Sequence, residues 1–383
     1  MIATPRESKA MPASGIVIRG SAWHRRYGSG SKPLFSVCIP QYNRTSFLIE
    51  GMRVLAGQTF ENWEVCIADD CSTDGREQEL LAELDALHAP YAYYRQPRNG
   101  RYDVNLRSSI SLASGTWCLL MGNDDCLAGP DVLGAFEEDL KRHPETGVAI
   151  ANYEEFDGSK AFRRVTRPGV AGKGPEIAVS RFRNFSFVSA VILRADRAKA
   201  HETTKWDGSE MYQMYIGCRI LADGYSLLEI PASAVRKGIV IPSESVDSYA
   251  ARPRLKNCPI EERRLPLAQM GGLVYDAVQQ DAGDKSAALG ALIFSQILVF
   301  TYPFWILEYR RVQSWRYAAG ICLGMRPRNL LERVRLPFWR SLSLRILYAT
   351  VTTAGLLCPI RLFDFCSQPL YRAAKSVMRR IAA

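Results

Sequence analysis

The chain has 383 residues, of which 47% are hydrophobic and 23% are charged, and its net charge is +10. This composition supports a large core and excludes a mostly disordered protein. The charge is uneven, since residues 281–383 carry 15 basic and 5 acidic side chains, whereas residues 1–280 carry 34 of each. The sequence therefore predicts a neutral globular part followed by a basic carboxyl-terminal part.

The ten cysteines are scattered, and no two are spaced as Cys-x-x-Cys. With only four histidines in the chain, this spacing argues against a zinc site. The first residues, MIATPRESKAMPASG, are too polar for the apolar core of a signal peptide. We therefore expect a protein of the reducing cytoplasm.

Residues 1–33 are rich in Ser, Gly, Arg and Pro and are predicted to form a loosely ordered arm. From residue 34 onward, short apolar runs alternate with segments of helical periodicity. The predicted strands are 34–40, 63–69, 91–94, 116–122, 147–155 and 187–194, and the predicted helices are 43–58, 75–88, 103–114, 131–143 and 209–224. Because the strands are continuous apolar runs, we predict an α/β fold with a mostly parallel sheet and helices on both faces.

Two acidic clusters follow two of these strands. Asp69, Asp70 and Asp74 come at the end of strand 63–69, and a second cluster, Asp124 with Asp125, follows strand 116–122. Ligands of an open α/β sheet bind at the carboxyl ends of its strands, so both clusters are expected to face one crevice. A divalent cation or a hydrogen-bond donor between them would offset their repulsion. The alternative is that each cluster only caps a turn or a helix, for which Asp is also favoured.

The segment VCIPQYNRTSFLIEGMRVLAGQTFENWEVCIADDCSTDG resembles the opening of the family 2 glycosyltransferases, which are inverting enzymes with the nucleotide-sugar-binding GT-A fold. The shared features are a strand ending in Pro, an aromatic residue with Asn, a Gln-Thr-Phe turn and the Asp-Asp-x-Ser-x-Asp motif. The segment NGRYDVNLRSSISLASGTWCLLMGNDD resembles the next part of the family. The resemblance covers about residues 34–250 and implies a GT-A domain there.

The resemblance also implies roles for individual residues. The residues assigned to nucleotide-sugar binding are Pro40, Tyr42, Asn43, Asp69, Asp70, Asp74, Asn99, Arg101 and Asp124. Asp124 and Asp125 are assigned to a divalent metal, Mg²⁺ or Mn²⁺, which would neutralise the leaving diphosphate. Gly122 stands where many family members have an Asp, so weaker metal binding is expected.

An inverting transfer also needs a general base for the acceptor hydroxyl. The family places an acidic residue at the start of a later helix, and the segment WDGSEMYQMYIGCRILADG supplies Glu210, with Asp207 as the alternative. An acid there is also favoured by the helix dipole, so a capping role is the competing interpretation. Trp206 is either a platform for a sugar ring or a packed residue.

The basic carboxyl-terminal part contains an uncharged segment of 22 residues, 286–307, followed by nine Arg and two Glu over residues 308–345. The apolar segment is long enough to span a bilayer, but a single span would place these Arg outside, against the positive-inside rule. We therefore predict that residues 251–383 form helices on the cytoplasmic membrane surface. A soluble helical subdomain or an oligomer interface is the alternative. No nucleic-acid motif accompanies the basic residues, and nucleic acid is not expected as a partner.

Together with the resemblance, these observations predict a metal-assisted inverting glycosyltransferase, peripheral on the inner face of the plasma membrane. Its donor would be a nucleoside-diphosphate sugar and its acceptor a glycan or lipid-linked hydroxyl in bacterial cell-surface polysaccharide synthesis. The alternatives are a sugar-phosphate nucleotidyltransferase and a non-catalytic module that binds nucleotide sugar or acts as a scaffold. The first would need a Gly-rich basic loop after the first strand, and PQYNRT is not one.

Overall fold

The computed structural model describes residues 22–25, 32–242, 244, 266–312, 314–331 and 334–381. The chain divides into two compact units. The first comprises Met1–Gly172 and Asn184–Val246, and the second comprises Lys173–Arg183 and Asp247–Ala383. The second unit thus takes a short segment from within the predicted GT-A domain. The predicted boundary at residue 250 lies outside the described residues.

The first unit is built on a mixed sheet. Its strands, with β9 running into the second unit, are β1 (Ala22–Arg25), β2 (Phe35–Gln41), β3 (Trp63–Asp69), β4 (Tyr91–Arg95), β5 (Trp117–Leu120), β6 (Cys126–Leu127), β7 (Thr146–Glu155), β8 (Ala161–Phe162), β9 (Gly169–Lys173), β10 (Val191–Arg194) and β11 (Ser226–Lys237). The helices up to β11 are α1 (Thr45–Ala56), α2 (Glu77–Ala86), α3 (Arg101–Leu112), α4 (Val132–Arg142), α5 (Pro175–Arg181), α6 (Ala195–Ala200) and α7 (Tyr212–Ala222).

The strand order is β1-β4-β3-β2-β5-β10-β7-β11-β6. Strands β4, β3, β2 and β5 are parallel to one another, as are β7 and β11. Strand β10 is antiparallel to both of its neighbours, and β1 is antiparallel to β4. The predicted α/β class with a mostly parallel central sheet is therefore confirmed. Within the predicted loose arm, Ala22–Arg25 form β1, and residues 1–21 and 26–31 lie outside the described part.

The centre of the sheet is apolar because β2 and β3 are buried along nearly their whole length. Three cysteines on neighbouring strands, Cys38, Cys66 and Cys118, are fully buried there as free thiols. Cys38 lies opposite Cys66 in the parallel register of β2 and β3. Burial raises the pKa of the Cys38 thiol well above its usual value and also raises the pKa of Cys66. These thiols pack as small hydrophobic side chains.

The second unit is helical. Besides α5, its described helices are α8 (Pro266–Val278), α9 (Ser286–Gln296), α10 (Tyr302–Val312), α11 (Trp315–Gly324), α12 (Pro327–Leu330), α13 (Phe338–Leu357) and α14 (Ile360–Ile381). The segment that contains α5 packs on α9, where Gln296 donates to the Val179 carbonyl and Lys285 pairs with Glu176.

One helix in the described part of the chain is long and apolar enough to cross a membrane. It runs over Gly283–Arg311, with a π-helical turn at Ile297–Thr301, and half of its apolar window is buried within the protein. Helix α13 and the start of α14 pass the same test only as a pair, and they are bent by 115° at their junction. A half-buried apolar helix is also what the core of a helical unit requires, so length and composition alone do not place it in a bilayer.

Candidate active site

The two acidic clusters meet at the carboxyl end of β2. The backbone carbonyl of Gln41 accepts from the Asp70 N–H (2.9 Å) and from the Asn105 side chain on α3 (2.9 Å). The Gln41 side-chain oxygen accepts from the Asn123 amide (2.7 Å), next to the second cluster. One residue therefore connects both loops, as expected when neighbouring parallel strands end at one edge of a sheet.

Asp69 and Asp74 shape the first acidic loop. Asp69 Oδ1 accepts from the Ser72 N–H at 2.7 Å, which closes the turn after β3. Asp74 Oδ2 accepts from the Thr45 hydroxyl at 2.7 Å and so fixes this loop to the start of α1. Both carboxylates are thus engaged with the protein itself and shape this loop.

Asp70 binds the beginning of α3. Its two carboxylate oxygens accept from the backbone N–H groups of Gly100 (2.6 Å) and Arg101 (2.9 Å). Asn99 Oδ1 also accepts from the Arg101 N–H, at 3.1 Å. Burial raises the pKa of Asp70 to about 6, although the two N–H groups act in the opposite direction. Asp70, which was predicted to bind the nucleotide, is therefore a buried carboxylate at a helix amino terminus.

The loop after β2 is fastened to the loop after β3. Asn43 Oδ1 accepts from the Thr73 N–H (2.6 Å), and the Asn43 backbone N–H donates to the Ser72 hydroxyl (2.9 Å). Pro40 lies inside β2. Tyr42 remains 42% exposed at the rim of this loop. An exposed aromatic ring on a rigid loop offers a flat apolar face to a ligand.

The second cluster divides into two carboxylates with different surroundings. Asp124 forms an ion pair with Arg44, and its side chain is 27% exposed. Asp125 is buried, where it accepts from the Ser189 hydroxyl and from the Gly238 N–H. Burial, with the neighbouring Asp124 charge, raises the pKa of Asp125 to about 7. Arg44 therefore supplies a positive charge beside the second acidic cluster.

Asp124 offers a divalent ion one protein carboxylate. In the described ranges, no group of three His, Cys, Asp or Glu side chains could hold a metal by itself. Both oxygens of Asp125 are already engaged in the interior, which leaves Asp124 as the exposed carboxylate of the pair. Mg²⁺ commonly binds through one or two carboxylates together with substrate phosphates. The residues present therefore suit an ion that arrives with a diphosphate.

The segment before α7 carries the predicted base and is bound to α3. Asp103 accepts from the backbone N–H of Glu210 at 2.8 Å. Arg107 makes a two-point ion pair with Asp207, with distances of 2.5 Å and 2.8 Å. Trp206 is buried, so its ring does not offer a face to a sugar. Both oxygens of Asp207 are therefore held by Arg107, whereas Glu210 is half-buried two residues before α7 begins, outside the helix that was predicted to start at residue 209.

Left-handed backbone conformations concentrate at these loops. Among the described non-glycine residues, positive φ occurs at Asn43, Cys71, His88, Arg101, Ala190 and Glu210. Three of them belong to the predicted site, Cys71 follows Asp70, and Ala190 follows the Ser189 that binds Asp125. Non-glycine residues avoid this region unless the surroundings enforce it, and such strain concentrates at functional sites. This is evidence for the location of the site that does not depend on its acidic residues.

Sequence reasoning missed four residues that organise the site. Arg44 directly follows the assigned Asn43, and Ser189 lies in the loop before β10. Asp103 and Arg107 are four residues apart on α3, so they lie on one helical face. A polar pair at this spacing within a predicted buried helix was the available signal. The partners of all four lie far away in the chain, which periodicity does not reveal.

Comparisons with known proteins point to one family. The family model Glycosyl transferase family 2 matches residues 36–198. The abequosyltransferase RfbV of Salmonella typhimurium is 39% identical over 97 residues, which are 25% of this chain and 29% of that protein. The putative glycosyltransferase EpsE of Bacillus subtilis is 29% identical over 151 residues, which are 38% of this chain and 53% of that protein. The matches thus span between about a third and half of these relatives.

The fold also has solved counterparts. The structure of S. aureus TarS 1–349 in complex with UDP superposes with a TM-score of 0.56 at 15% sequence identity, covering 84% of this chain and 90% of that one. At this level of identity the likeness concerns the fold. It confirms the predicted GT-A architecture.

Proposed function

We propose that this chain transfers a sugar, with inversion, from a nucleoside-diphosphate donor to an acceptor hydroxyl, because its residues 36–198 match the model of the family 2 glycosyltransferases. The observation that carries the proposal is the junction at Gln41, where both acidic loops meet, with α3 extending from there to the Glu210 segment. The residues proposed to bind the donor, the residues proposed to lie beside its diphosphate and the candidate base thus belong to one connected set of loops.

The nucleotide is proposed to bind at the loops after β2 and β3. Tyr42 offers an exposed ring beside Asn43, whose loop is held rigidly by Thr73. Asp70 would accept hydrogen bonds from the base or ribose with the lone pairs that the α3 N–H groups leave free. The TarS structure was solved with UDP bound, which makes a uridine nucleotide the first donor to test.

The diphosphate is proposed to lie beside Asp124 and Arg44. The guanidinium places a fixed positive charge next to the exposed carboxylate, in the region where the leaving group becomes more negative. Asp124 is the residue we assign to a divalent ion, and Asp125 is assigned instead to holding this loop against Ser189 and Gly238. When bound, the ion would supply neutralising charge to the diphosphate.

Glu210 is proposed as the general base. In the transfer, the acceptor oxygen forms a bond to the anomeric carbon, the bond from that carbon to the diphosphate oxygen breaks, and the acceptor proton passes to the Glu210 carboxylate. Asp207 is the weaker choice because the Arg107 ion pair already holds both of its carboxylate oxygens. The left-handed backbone at Glu210 is consistent with a position selected for function.

The acceptor is proposed to be a glycan or a lipid-linked hydroxyl in cell-surface polysaccharide synthesis. The support is the similarity to an abequosyltransferase and the character of the second unit. There, α13 and α14 expose large apolar side chains, namely Phe338, Trp339, Ile346, Leu357, Leu362, Phe365 and Leu370. Arg340, Arg345 and Arg361 are exposed on the same two helices. Exposed aromatics with neighbouring Arg suit an anionic membrane surface, so we propose peripheral binding to the cytoplasmic leaflet.

The experiment that tests the transferase proposal is thermal stabilisation by UDP, GDP, CMP and dTDP, each with and without Mn²⁺. A ligand that binds the native state raises the melting temperature by mass action. We expect a metal-dependent rise with one nucleotide, loss of the metal effect in Asp124→Asn, and no change in the control Asp196→Asn, an exposed carboxylate on α6. Turnover of the matching sugar nucleotide then separates an enzyme from a binding module. If folded protein responds to none of the nucleotides, the donor site is wrong.

A further inference from the structure

Helix α3 connects the donor loops to the segment that carries Glu210. At its amino terminus, the N–H groups of Gly100 and Arg101 bind Asp70. On its next turns, Asp103 and Arg107 reach the segment between α6 and α7. The same helix therefore holds Asp70 at its amino terminus and the segment that carries Glu210 along its side.

Asp103 makes the most extensive of these contacts. It is 2% exposed, and its carboxylate accepts from the backbone N–H groups of Gly208 (2.9 Å), Glu210 (2.8 Å) and Tyr212 (3.0 Å). Three N–H groups on one carboxylate fix the path of the chain into α7. Burial raises the pKa of Asp103, and the same three N–H groups oppose that rise. Ionised Asp103 has acceptor oxygens for all three groups, and an amide in its place would lose part of that capacity.

The segment held by Asp103 has a strained backbone. Gly208 has φ of 92° and Glu210 has φ of 59°, both in the left-handed region. Glutamate avoids this region unless its neighbours determine the backbone, and here the Glu210 N–H is itself bound by Asp103. The direction of the Glu210 side chain thus depends on a carboxylate that does not belong to its own segment.

We propose that Asp103 is a positioning residue that sets Glu210 against the acceptor hydroxyl, an inference that rests on the proposed transferase function and on Glu210 as its base. Asp103 does not touch substrate in this role. It acts through the backbone of the Glu210 segment, and α3 links that segment to the Asp70 end of the donor site. Residues far from the reacting atoms matter in this way because small displacements of a base reduce its effectiveness strongly.

The test is a double-mutant cycle on kcat with the sugar nucleotide that the wild type turns over. We expect Asp103→Asn to lower kcat by about 10²-fold, while the donor-induced rise in melting temperature is unchanged. In a Glu210→Gln background the same substitution should lower kcat little further, because the residue through which it acts is already disabled. Ser108→Ala is the control on the same helix, since its hydroxyl donates to the Val104 carbonyl of that helix.

A second variant tests the same role in case Asp103→Asn does not fold. Gly208→Ala adds a methyl group that meets no atom within 4 Å, at a φ that alanine disfavours, so it moves the segment without deleting a contact. It should show the same loss of kcat and the same dependence on Glu210. An equal loss of kcat in both backgrounds, or full activity of folded Asp103→Asn, would overturn the positioning role. Absence of turnover in the wild type would instead overturn the proposed function, and the inference with it.

Discussion

At the scale of single residues, Glu210 and Asp207 are predicted to respond differently to neutralisation. Glu210→Gln should lower kcat by about 10²- to 10⁴-fold, the range for loss of a general base, and leave donor binding intact. Asp207→Asn should lower kcat far less, but it should destabilise the protein by about 1.5–3 kcal/mol because Arg107 loses a charged hydrogen-bond partner. Steady-state kinetics and chemical denaturation of both variants are the measurements. The reverse order of kcat values, with donor binding retained, would make Asp207 the base.

Asp70 gives stability a pH dependence of known sign. Its pKa is about 6 in the folded protein and near its ordinary value of 3.8 in an unfolded chain. The folded state therefore binds this proton more tightly, so the Asp70 contribution to the free energy of unfolding is full below about pH 4 and is lost as the pH rises through about 6. The free energy of unfolding of the wild type minus that of Asp70→Asn, measured with denaturant from pH 4 to 7, should fall with rising pH. A constant difference would contradict the assignment.

The positions of the acidic residues were predictable from sequence, and their partners were not. Carboxylates that come shortly after apolar runs indicate strand ends, and Asp70 and Asp124 do follow the ends of β3 and β5. That Asp70 binds the α3 amides and Asp125 turns inward to Ser189 depends on backbone directions set by residues 30 to 64 positions away. Sequence pattern identifies the chemical type of a residue and carries little information on such distant geometry.

At the scale of secondary structure, most strands and helices between residues 34 and 155 were predicted well, whereas the long strand β11 and the direction of β10 were not. Continuous apolar runs gave β2, β3, β4 and β7 to within a residue or two. The same pattern does not tell that β10 enters between β5 and β7 in the antiparallel direction. It also does not tell that α5 belongs to the second unit, because burial against one unit or another produces the same periodicity.

Helix α7 should be sensitive to the size of Gly217. A Cβ atom there would lie 2.4 Å from the Phe185 ring, and that ring is fully buried. Gly217→Ala is expected to lower the free energy of unfolding by about 1–3 kcal/mol, the usual cost of overpacking. Gly134→Ala on α4 is the matched control, since nothing lies within 4 Å of its Cβ. There, the helical preference of alanine should raise stability by about 0.5–1 kcal/mol. Equal effects of both substitutions would show that the Phe185 ring moves aside to make room for the added methyl group.

At the scale of the whole molecule, the exposed residues of α13 and α14 should bind anionic vesicles. Trp339 and Phe365 are 73% and 83% exposed. Replacing either by Ala should weaken binding to phosphatidylserine-containing vesicles by at least about tenfold, from the lost apolar burial. Val170→Ala, at an exposed position of β9, should leave binding unchanged. Co-sedimentation at two salt concentrations is the measurement, and added salt should weaken the Arg contribution.

The alternative for these helices is a contact with another copy of the chain. In that case vesicles should recover no protein at any salt concentration, whereas light scattering should give a mass above that of the monomer and the Trp339→Ala variant should lower it. The two outcomes separate a membrane surface from an oligomer interface without reference to catalysis.

The three thiols at the centre of the sheet make it possible to measure how often the sheet opens. Cys38, Cys66 and Cys118 are inaccessible in the folded sheet, whereas Cys358 and Cys366 are partly accessible in the second unit. A thiol reagent should therefore label these two thiols quickly, together with the partly accessible Cys71 after β3, and the three thiols of the sheet only when its strands separate. The slow labelling rate would then report how often the first unit opens, and its decrease with donor present would measure how strongly substrate holds the sheet closed.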